Sequence, residues 1–184
     1  MATQQQPKVW TYDDLFDLPE DKRYEIIEGA LYEMPAANSE HALIIMNLIL
    51  RVFGPVVGAL GGQLLTAPLD LFLRDGNPVQ PDLLILLPEQ RGQISRRGVE
   101  GAPALVVEVL SPSNSRHDLV TKRALYARAG VPEYWIVSPE AMSVEILALD
   151  GAVYRTHARL AGDEPLTSPL FPTIAAPTST VFDA

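Results

Sequence analysis

Two short apolar runs with an acidic residue in each, at 81–87 and 104–110, constrain this chain more than any other part of it. The first has the sequence PDLLILL and the second ALVVEVL. Runs of this length bounded by Pro or Gly are typical of buried strands. A charge is rare in such a strand unless it is paired or bound to a metal ion. Asp82 and Glu108 therefore need a partner in the folded protein, and they are the first candidates for a functional site.

Three further segments have clear local patterns. Residues 23–34 predict a hairpin, which places Glu25 within a strand. Residues 38–57 predict a mostly buried helix that begins at a capping Asn or Ser. A second helix, capped by Ser115, is predicted over 116–129. The chain thus combines strands with at least two substantial helices.

The order of the elements predicts the fold class. A short helix is followed by a hairpin, a long helix, strands, a second helix and further strands, with one extended strand near 178–182. This order lacks the regular alternation of a doubly wound fold and predicts a mixed α/β or α+β sheet flanked by helices. At 184 residues the chain is long enough for one sizeable core, so we expect a single domain over residues 1–184.

Composition excludes several kinds of site. There are no cysteines, so disulfides, thiolate metal sites and cysteine nucleophiles are ruled out. The first seven residues are polar and do not resemble a signal peptide. The apolar stretch 42–50 is interrupted by Asn47 and is too short to cross a bilayer. We expect a cytoplasmic protein without a membrane partner.

The net charge is −9, but basic residues are concentrated around Glu108. Seven of the fourteen Lys and Arg residues, against three acids, lie between residues 91 and 128. An acidic protein is unsuited to coating nucleic acid without specificity. The local basic segment fits a polyanion brought to a metal site, and it also fits an ordinary solvated loop and helix face. The charge pattern leaves both interpretations open.

Asp82, Glu108 and Lys122 supply the groups that a metal-dependent phosphodiesterase needs. Mg²⁺ and Mn²⁺ prefer oxygen ligands, and Mg²⁺ is typically held by one or two carboxylates together with waters and a substrate phosphate. Such an ion polarises a phosphodiester and lowers the pKa of a bound water. A nearby ammonium orients that water or offsets charge in the transition state. Taken alone, Asp82 could simply begin a strand, and Lys122 could form a surface pair with Asp118.

These residues belong to an ordered set of motifs. The set comprises Tyr24-Glu25-Ile26-Ile27-Glu28-Gly29, Ser39-Glu40-His41, Pro81-Asp82, Val107-Glu108-Val109-Leu110-Ser111-Pro112-Ser113, Asp118 with Lys122 and Tyr126, and Gly130-Val131-Pro132-Glu133-Tyr134-Trp135-Ile136-Val137. Together they resemble the bacterial Uma-two family of the PD-(D/E)XK nuclease superfamily, over about Tyr12 to Phe182. The resemblance implies a restriction-endonuclease-like core and a Mg²⁺-dependent phosphodiesterase site.

The resemblance also implies roles for individual residues. Asp82 matches the motif aspartate and Glu108 the second metal ligand, with the backbone carbonyl of Val109 as a further ligand. Glu25 resembles the early acidic residue that completes the site, and Lys122 matches a lysine supplied from the following helix.

Three places depart from the usual pattern, one of them Pro172-Thr173, where Pro-Gly is more usual. The superfamily lysine normally stands two residues after the glutamate, where this chain has Leu110. Ser138 stands where the family usually has an aspartate, and we assign it no role.

The leading functional hypothesis is a Mg²⁺-dependent (or Mn²⁺-dependent) endonuclease acting on DNA. In it Asp82 and Glu108 hold the ion, Lys122 assists the attacking water, and Glu25 supports them. The alternative is a non-catalytic nucleic-acid-binding or assembly module that keeps the fold. A double-strand cutter needs two active sites, so a homodimer fits the hypothesis. His41, in the first turn of the long helix, could face the site, but a satisfied or solvent-facing histidine is the simpler interpretation.

Overall fold

A six-stranded mixed sheet forms the centre of the protein. The computed structural model describes residues 8–34, 36, 38–74, 76–111 and 117–183, with the backbone alone for 117–119. Its strands are β1 Arg23–Ile27, β2 Ala30–Met34, β3 Gln63–Thr66, β4 Leu71–Phe72, β5 Pro78–Val79, β6 Leu83–Leu86, β7 Ile94–Ser95, β8 Gly98–Glu100, β9 Leu105–Val109, β10 Glu133–Ser138, β11 Ser143–Asp150 and β12 Val153–Ala161. The order across the central sheet is β12-β11-β10-β9-β6-β3. The two apolar runs singled out in the sequence are β6 and β9, which are neighbours.

The helices are α1 (Ser39–Asn47), α2 (Gly54–Ala59) and α3 (His117–Ala129), with short 3₁₀ helices at Tyr12–Asp17, Pro88–Gln93 and Thr178–Val181. A π-helical stretch, Leu48–Phe53, joins α1 to α2, so the three form one long helix over Ser39–Ala59. In the central sheet only β9 and β10 run parallel, and α3 makes the crossover between them. The predicted mixed sheet flanked by helices, with a restriction-endonuclease-like core, is confirmed. The predicted cap at Ser115 lies outside the described residues.

The central strands bury different side chains on their two faces, because successive residues of a strand point to opposite sides. One face packs against the long helix and against residues 166–183, called here the C-terminal segment. Its members include Leu83, Ile85, Val107, Trp135, Phe53, Phe171 and Val181. The other face packs against α3, the β1–β2 hairpin and a small sheet, and its members include Leu84, Val106, Tyr134, Tyr126, Ile27 and Val99. Glu108 follows Val106 in the alternation, so it belongs to the α3 face.

Two smaller sheets complete that second layer. β1 and β2 form the predicted hairpin, and its turn uses Glu28 and Gly29, both with positive φ (53° and 77°), as a two-residue turn of this kind requires. The small sheet has the order β5-β4-β8-β7. The hairpin brings Glu25 of β1 to the interior of this layer, where its side chain is fully buried.

The long helix starts where predicted but is less buried than predicted. The side chain of Asn38 accepts a hydrogen bond from the backbone N–H of His41 and caps α1. Ile44, Leu48 and Phe53 are buried, while an apolar set on the other side is exposed: Leu43, Met46 and Leu50. At 21 residues, the helix is by length and composition long and apolar enough to cross a membrane. The prediction that its apolar stretch is too short to do so is therefore wrong. Its buried side chains pack on the central sheet, as in a core helix.

The π-helical stretch lies immediately before Pro55. A proline has no N–H, so the α-helical hydrogen-bond ladder is interrupted there. The N–H of Gly54 bonds instead to the carbonyl of Ile49, five residues earlier.

The C-terminal segment closes the helix-covered face of the sheet. The side-chain amide of Asn47 donates hydrogen bonds to the backbone carbonyls of Val181 and Asp183. Residues 178–181 form a 3₁₀ helix, so the predicted strand near 178–182 is wrong. These carbonyls bond to a helix side chain, whereas a strand would offer them to a neighbouring strand.

Candidate active site

Asp82 and Glu108 meet at one end of the neighbouring strands β6 and β9. The two strands are antiparallel with Leu83 opposite Val107, so extending the register by one residue sets Asp82 opposite Glu108. The backbone N–H of Val109 donates to Asp82 Oδ2 at 2.7 Å. The side chain of Asp82 is 15% exposed. The two acids that the sequence singled out are therefore brought together.

Glu108 is held on one oxygen by two donors from α3. Lys122 Nζ lies 3.1 Å from Glu108 Oε1, and the Tyr126 hydroxyl donates to the same oxygen at 2.7 Å. Lys122 and Tyr126 are four residues apart and therefore lie on one face of α3. Both described contacts of the carboxylate lie on Oε1, which leaves Oε2 as the oxygen suited to an incoming ligand.

Glu25 completes a buried cluster around Lys122. Its Oε1 lies 2.9 Å from Lys122 Nζ and accepts the backbone N–H of Gln80 at 2.6 Å. The side chains of Glu25 and Lys122 are each 1% exposed. A surface location for Lys122 is excluded, and the side chain of Asp118, its alternative partner, lies outside the described residues. One ammonium thus bridges two carboxylates from distant parts of the chain.

Burial and charge shift the pKa values of this cluster. Burial raises the pKa of Glu108 well above its ordinary value of 4.5; Lys122 opposes the shift, while Asp82 and Glu25 add to it. Burial alone would lower the pKa of Lys122, but Glu108 and Glu25 hold it above its ordinary value. Burial, followed by the charge of Glu108, raises the pKa of Tyr126. At neutral pH, Lys122 is charged and Tyr126 is a hydrogen-bond donor.

Replacing Glu108 with glutamine is expected to raise the melting temperature, and more so at higher pH. The unfolded chain loses the proton of Glu108 near pH 4.5, whereas the folded chain keeps it to higher pH. Wild-type stability therefore falls as pH rises between these two pKa values. Glutamine has no such proton, and Lys122 keeps Glu25 as a partner.

The measurement is thermal unfolding of wild type and Glu108→Gln at pH 5, 6, 7 and 8. The difference between their melting temperatures should widen across the series. The exposed Glu89→Gln should give a constant difference. A Glu108→Gln difference that is constant or shrinks with pH would contradict the assignment.

His41 contacts the exposed side of the site. Its Nε2 lies 3.1 Å from Asp82 Oδ1, and its side chain is 19% exposed. Each carboxylate oxygen of Asp82 therefore has a neighbour: the Val109 amide donates to Oδ2, and the His41 ring lies within ion-pair distance of Oδ1. A position facing the site was the less favoured of the two interpretations of His41 from sequence, and the structure places its ring next to the motif aspartate.

The donor set fits a hard divalent cation. Asp82 and Glu108 supply carboxylate oxygens, and a cation beside them would offset the burial that disfavours ionised Glu108. Among residues 8–183, leaving aside the undescribed positions, no group of three or more His, Asp or Glu is placed to hold a metal ion by itself. An ion here would complete its coordination with waters or a substrate phosphate, as Mg²⁺ commonly does. The structure brings the N–H of Val109 to Asp82, while a ligand role for its carbonyl stays a prediction.

The arginines around the site mostly serve the fold. Arg97 pairs with Glu100 and Arg128 with Glu28, while Arg91 and Arg123 donate to the carbonyls of Gly61 and Tyr154. Arg116 lies outside the described residues. Since these guanidinium groups are engaged within the chain, the local basic excess is not by itself a nucleic-acid surface.

Comparison with known proteins identifies the family. The model of the Uma2 family, described as "Putative restriction endonuclease", matches residues 11–179. The chain is a member of the Uma2 family. Among curated proteins none matches this chain.

A solved structure shares the Uma2 fold of this chain. It is described as "a putative nuclease belonging to DUF820" from Anabaena variabilis, with a TM-score of 0.77 and 19% sequence identity. The match covers 94% of this chain and 97% of that one. At this identity the likeness shows a common fold, extending over nearly the whole of both chains.

Tyr126 is a further residue of the candidate site in this Uma2 chain. The sequence motifs contained it, but no role was assigned to it. The Tyr126 hydroxyl bonds to Glu108, and the four-residue spacing from Lys122 was the signal that could have predicted it. Burial of an acidic residue would by itself have been a poorer signal of a site residue than this spacing. Glu133 in β10 is also buried, but it accepts hydrogen bonds from Trp135 Nε1 and the Leu170 N–H and so anchors the C-terminal segment.

Proposed function

We propose that this chain is a metal-dependent endonuclease that hydrolyses phosphodiester bonds of DNA, with Asp82 and Glu108 holding Mg²⁺ or Mn²⁺. The observation that carries the proposal is the convergence of these two carboxylates at the ends of neighbouring strands. Membership of a nuclease family supports it. The bound ion would polarise the scissile phosphate and lower the pKa of a bound water.

The side chains around the two acids fix their geometry. Tyr126 and Lys122 hold Glu108 through Oε1, which directs Oε2 to the ion. Glu25 offsets the positive charge of Lys122 and holds its ammonium from the side opposite Glu108. A preorganised carboxylate binds an ion without the additional entropic cost of ordering its own side chain.

Lys122 has a different role in this proposal from the one suggested by sequence. Direct assistance to the attacking water requires an ammonium that the water can reach. Lys122 is 1% exposed and already lies against two carboxylates. We therefore propose that Lys122 acts mainly by holding Glu108 in place, and a contact with water would require the cluster to open.

Calorimetric titration with Mn²⁺ tests the metal site without any assumption about the substrate. Wild type should bind Mn²⁺ saturably, and Asp82→Asn or Glu108→Gln should each weaken binding by about 10-fold or more because a direct ligand loses its charge. Asp17→Asn, at an exposed position, is the matched control and should bind as wild type does.

The titration must include a second condition, because a substrate phosphate can complete the coordination of such an ion. A short duplex with a non-hydrolysable phosphorothioate backbone supplies that phosphate. Failure of wild type to bind Mn²⁺ with or without the duplex would reject the metal site. It would favour the non-catalytic nucleic-acid-binding module, for which DNA binding should persist without divalent ions and in Glu108→Gln.

A homodimer remains part of the proposal, because cleavage of both strands of a duplex needs two active sites. Sedimentation of the protein with and without duplex DNA is the direct measurement. A monomer under both conditions would restrict the proposal to nicking or to single-stranded substrates.

A further inference from the structure

We infer that His41 is a positioning residue of the active site, which holds the Asp82 carboxylate in the orientation that binds the metal ion. The inference rests on the proposed function, because it gives His41 its role through the metal ligand Asp82. It concerns a residue on the long helix, outside the central sheet, the β1–β2 hairpin and α3 that supply the other site groups.

The first support is that Asp82 is held from two sides. Val109 N–H donates to Oδ2 at 2.7 Å, and His41 Nε2 lies 3.1 Å from Oδ1. One donor alone would leave the carboxylate free to rotate about its Cβ–Cγ bond. The hydrogen bond on Oδ2 and the imidazole contact on Oδ1 together restrict that rotation, and each oxygen keeps a lone pair for an ion.

The second support is that the position of His41 is itself fixed. The Asn38 side chain accepts the backbone N–H of His41 at 2.8 Å, and the Asn38 carbonyl accepts the N–H of Ala42. This cap determines where α1 begins, and it places residue 41 in the first turn. The imidazole is therefore supplied from a rigid helix start, as a preorganised ligand contact requires.

The third support is the exposure of this part of the site. The Lys122 ammonium is 1% exposed, whereas the side chains of Asp82 and His41 are 15% and 19% exposed. Water that reaches Asp82 competes for its oxygens and would favour other rotamers. A fixed neighbour on this side of Asp82 is needed, while Glu108, with its side chain 12% exposed, is already held by Lys122 and Tyr126.

A polar contact of Nε2 with the Asp82 carboxylate requires a proton on Nε2, which the imidazolium and one neutral tautomer both carry. A glutamine at this position can direct an amide N–H to about the place of Nε2. Alanine has no group that can do so. These two substitutions therefore separate the loss of the polar contact with Asp82 from the loss of the ring.

The experiment is Mn²⁺ calorimetry on His41→Ala and His41→Gln, with melting temperatures measured on the same samples. Partners of metal ligands typically contribute 10-fold to 100-fold to metal affinity. We expect His41→Ala to weaken Mn²⁺ binding by about 10-fold and His41→Gln to recover most of it. His157→Ala, an exposed histidine on the edge strand β12, is the matched control and should bind like wild type.

A second readout is the Mn²⁺ concentration that gives half-maximal DNA cleavage. It should rise about 10-fold in His41→Ala, in step with the calorimetric shift. The inference is overturned if wild type binds Mn²⁺ and His41→Ala binds it equally well, whatever the melting temperature. It is also overturned if Gln and Ala weaken binding equally. Failure of wild type itself to bind Mn²⁺ would instead reject the proposed function.

Discussion

Replacing Lys122 with methionine is expected to lower the free energy of unfolding by about 3–5 kcal/mol, the cost typical of removing one partner from a buried ion pair. Methionine matches the length of the side chain and fills its space with apolar atoms. The loss therefore comes mainly from charge. Glu25 and Glu108 are both buried and would lose the ammonium that now lies between them.

A second substitution in the same cluster tests that explanation. Glu25→Gln added to Lys122→Met removes one of the two buried acids, so the double variant should regain part of the stability lost by the single one. The remaining acid, Glu108, already has a raised pKa and can take up a proton. Denaturant titration with an unchanged slope gives these differences as free energies.

Arg123→Met provides the comparison within the same helix. Arg123 is next to Lys122, but its guanidinium donates to the carbonyl of Tyr154 and not to a carboxylate. Its replacement should cost about 1 kcal/mol or less, as is usual for one hydrogen bond near the surface. If Lys122→Met were no more destabilising than Arg123→Met, the buried cluster would not be as the structure shows it.

Asp82→Asn is expected to reduce metal-dependent DNA cleavage by about 10³-fold. A bound ion contributes several kcal/mol to transition-state stabilisation, and each 1.36 kcal/mol is a factor of ten in rate. Asparagine keeps a carbonyl oxygen for the Val109 N–H but lacks the negative charge that attracts the ion. The charge of Asp82 also raises the pKa of Glu108, so its removal relieves repulsion. The melting temperature should therefore stay equal or rise slightly.

The measurement is cleavage of supercoiled plasmid and of linear duplex with Mg²⁺ or Mn²⁺, with EDTA as the metal-free reference. Asp17→Asn, exposed and distant in sequence, should cleave at the wild-type rate. Unchanged cleavage by Asp82→Asn would end the nuclease assignment at this site. Loss of cleavage together with a large fall in melting temperature would mean that the substitution acted through unfolding.

The sequence predicted the site's strands because local signals were enough. The apolar runs and their alternation placed Glu108 on a defined face of β9, and the hairpin pattern placed Glu25 in a strand. The bridge from Glu25 through Lys122 to Glu108 could not be read in the same way. It depends on how the hairpin and α3 dock on the sheet, and no local pattern encodes that docking.

Two of the incorrect predictions, the burial of the long helix and the strand near 178–182, have related causes. Leu43 and Met46 are as apolar as the buried Ile44, so the sequence does not distinguish the exposed side of the long helix from the buried one. The segment 178–181 has strand-like composition, but Val181 is buried and its carbonyl is taken by the Asn47 side chain. In both cases a tertiary contact decided the outcome against a weak local preference.

The attachment of the C-terminal segment to the long helix has a consequence for synthesis of the protein. Phe171 and Val181 pack in the same core as Ile44 and Phe53, and Asn47 binds the carbonyl of Asp183. The helix precedes these segments in the chain, so its sheet-facing core cannot be completed until residues 171–183 have been synthesised and have folded against it. Contacts between residues so far apart in sequence also form slowly. The helix that carries His41 beside Asp82 therefore reaches its full packing only when residues 171–183 have folded against it, so the assembly of the candidate site is coupled to a part of the chain far from it in sequence.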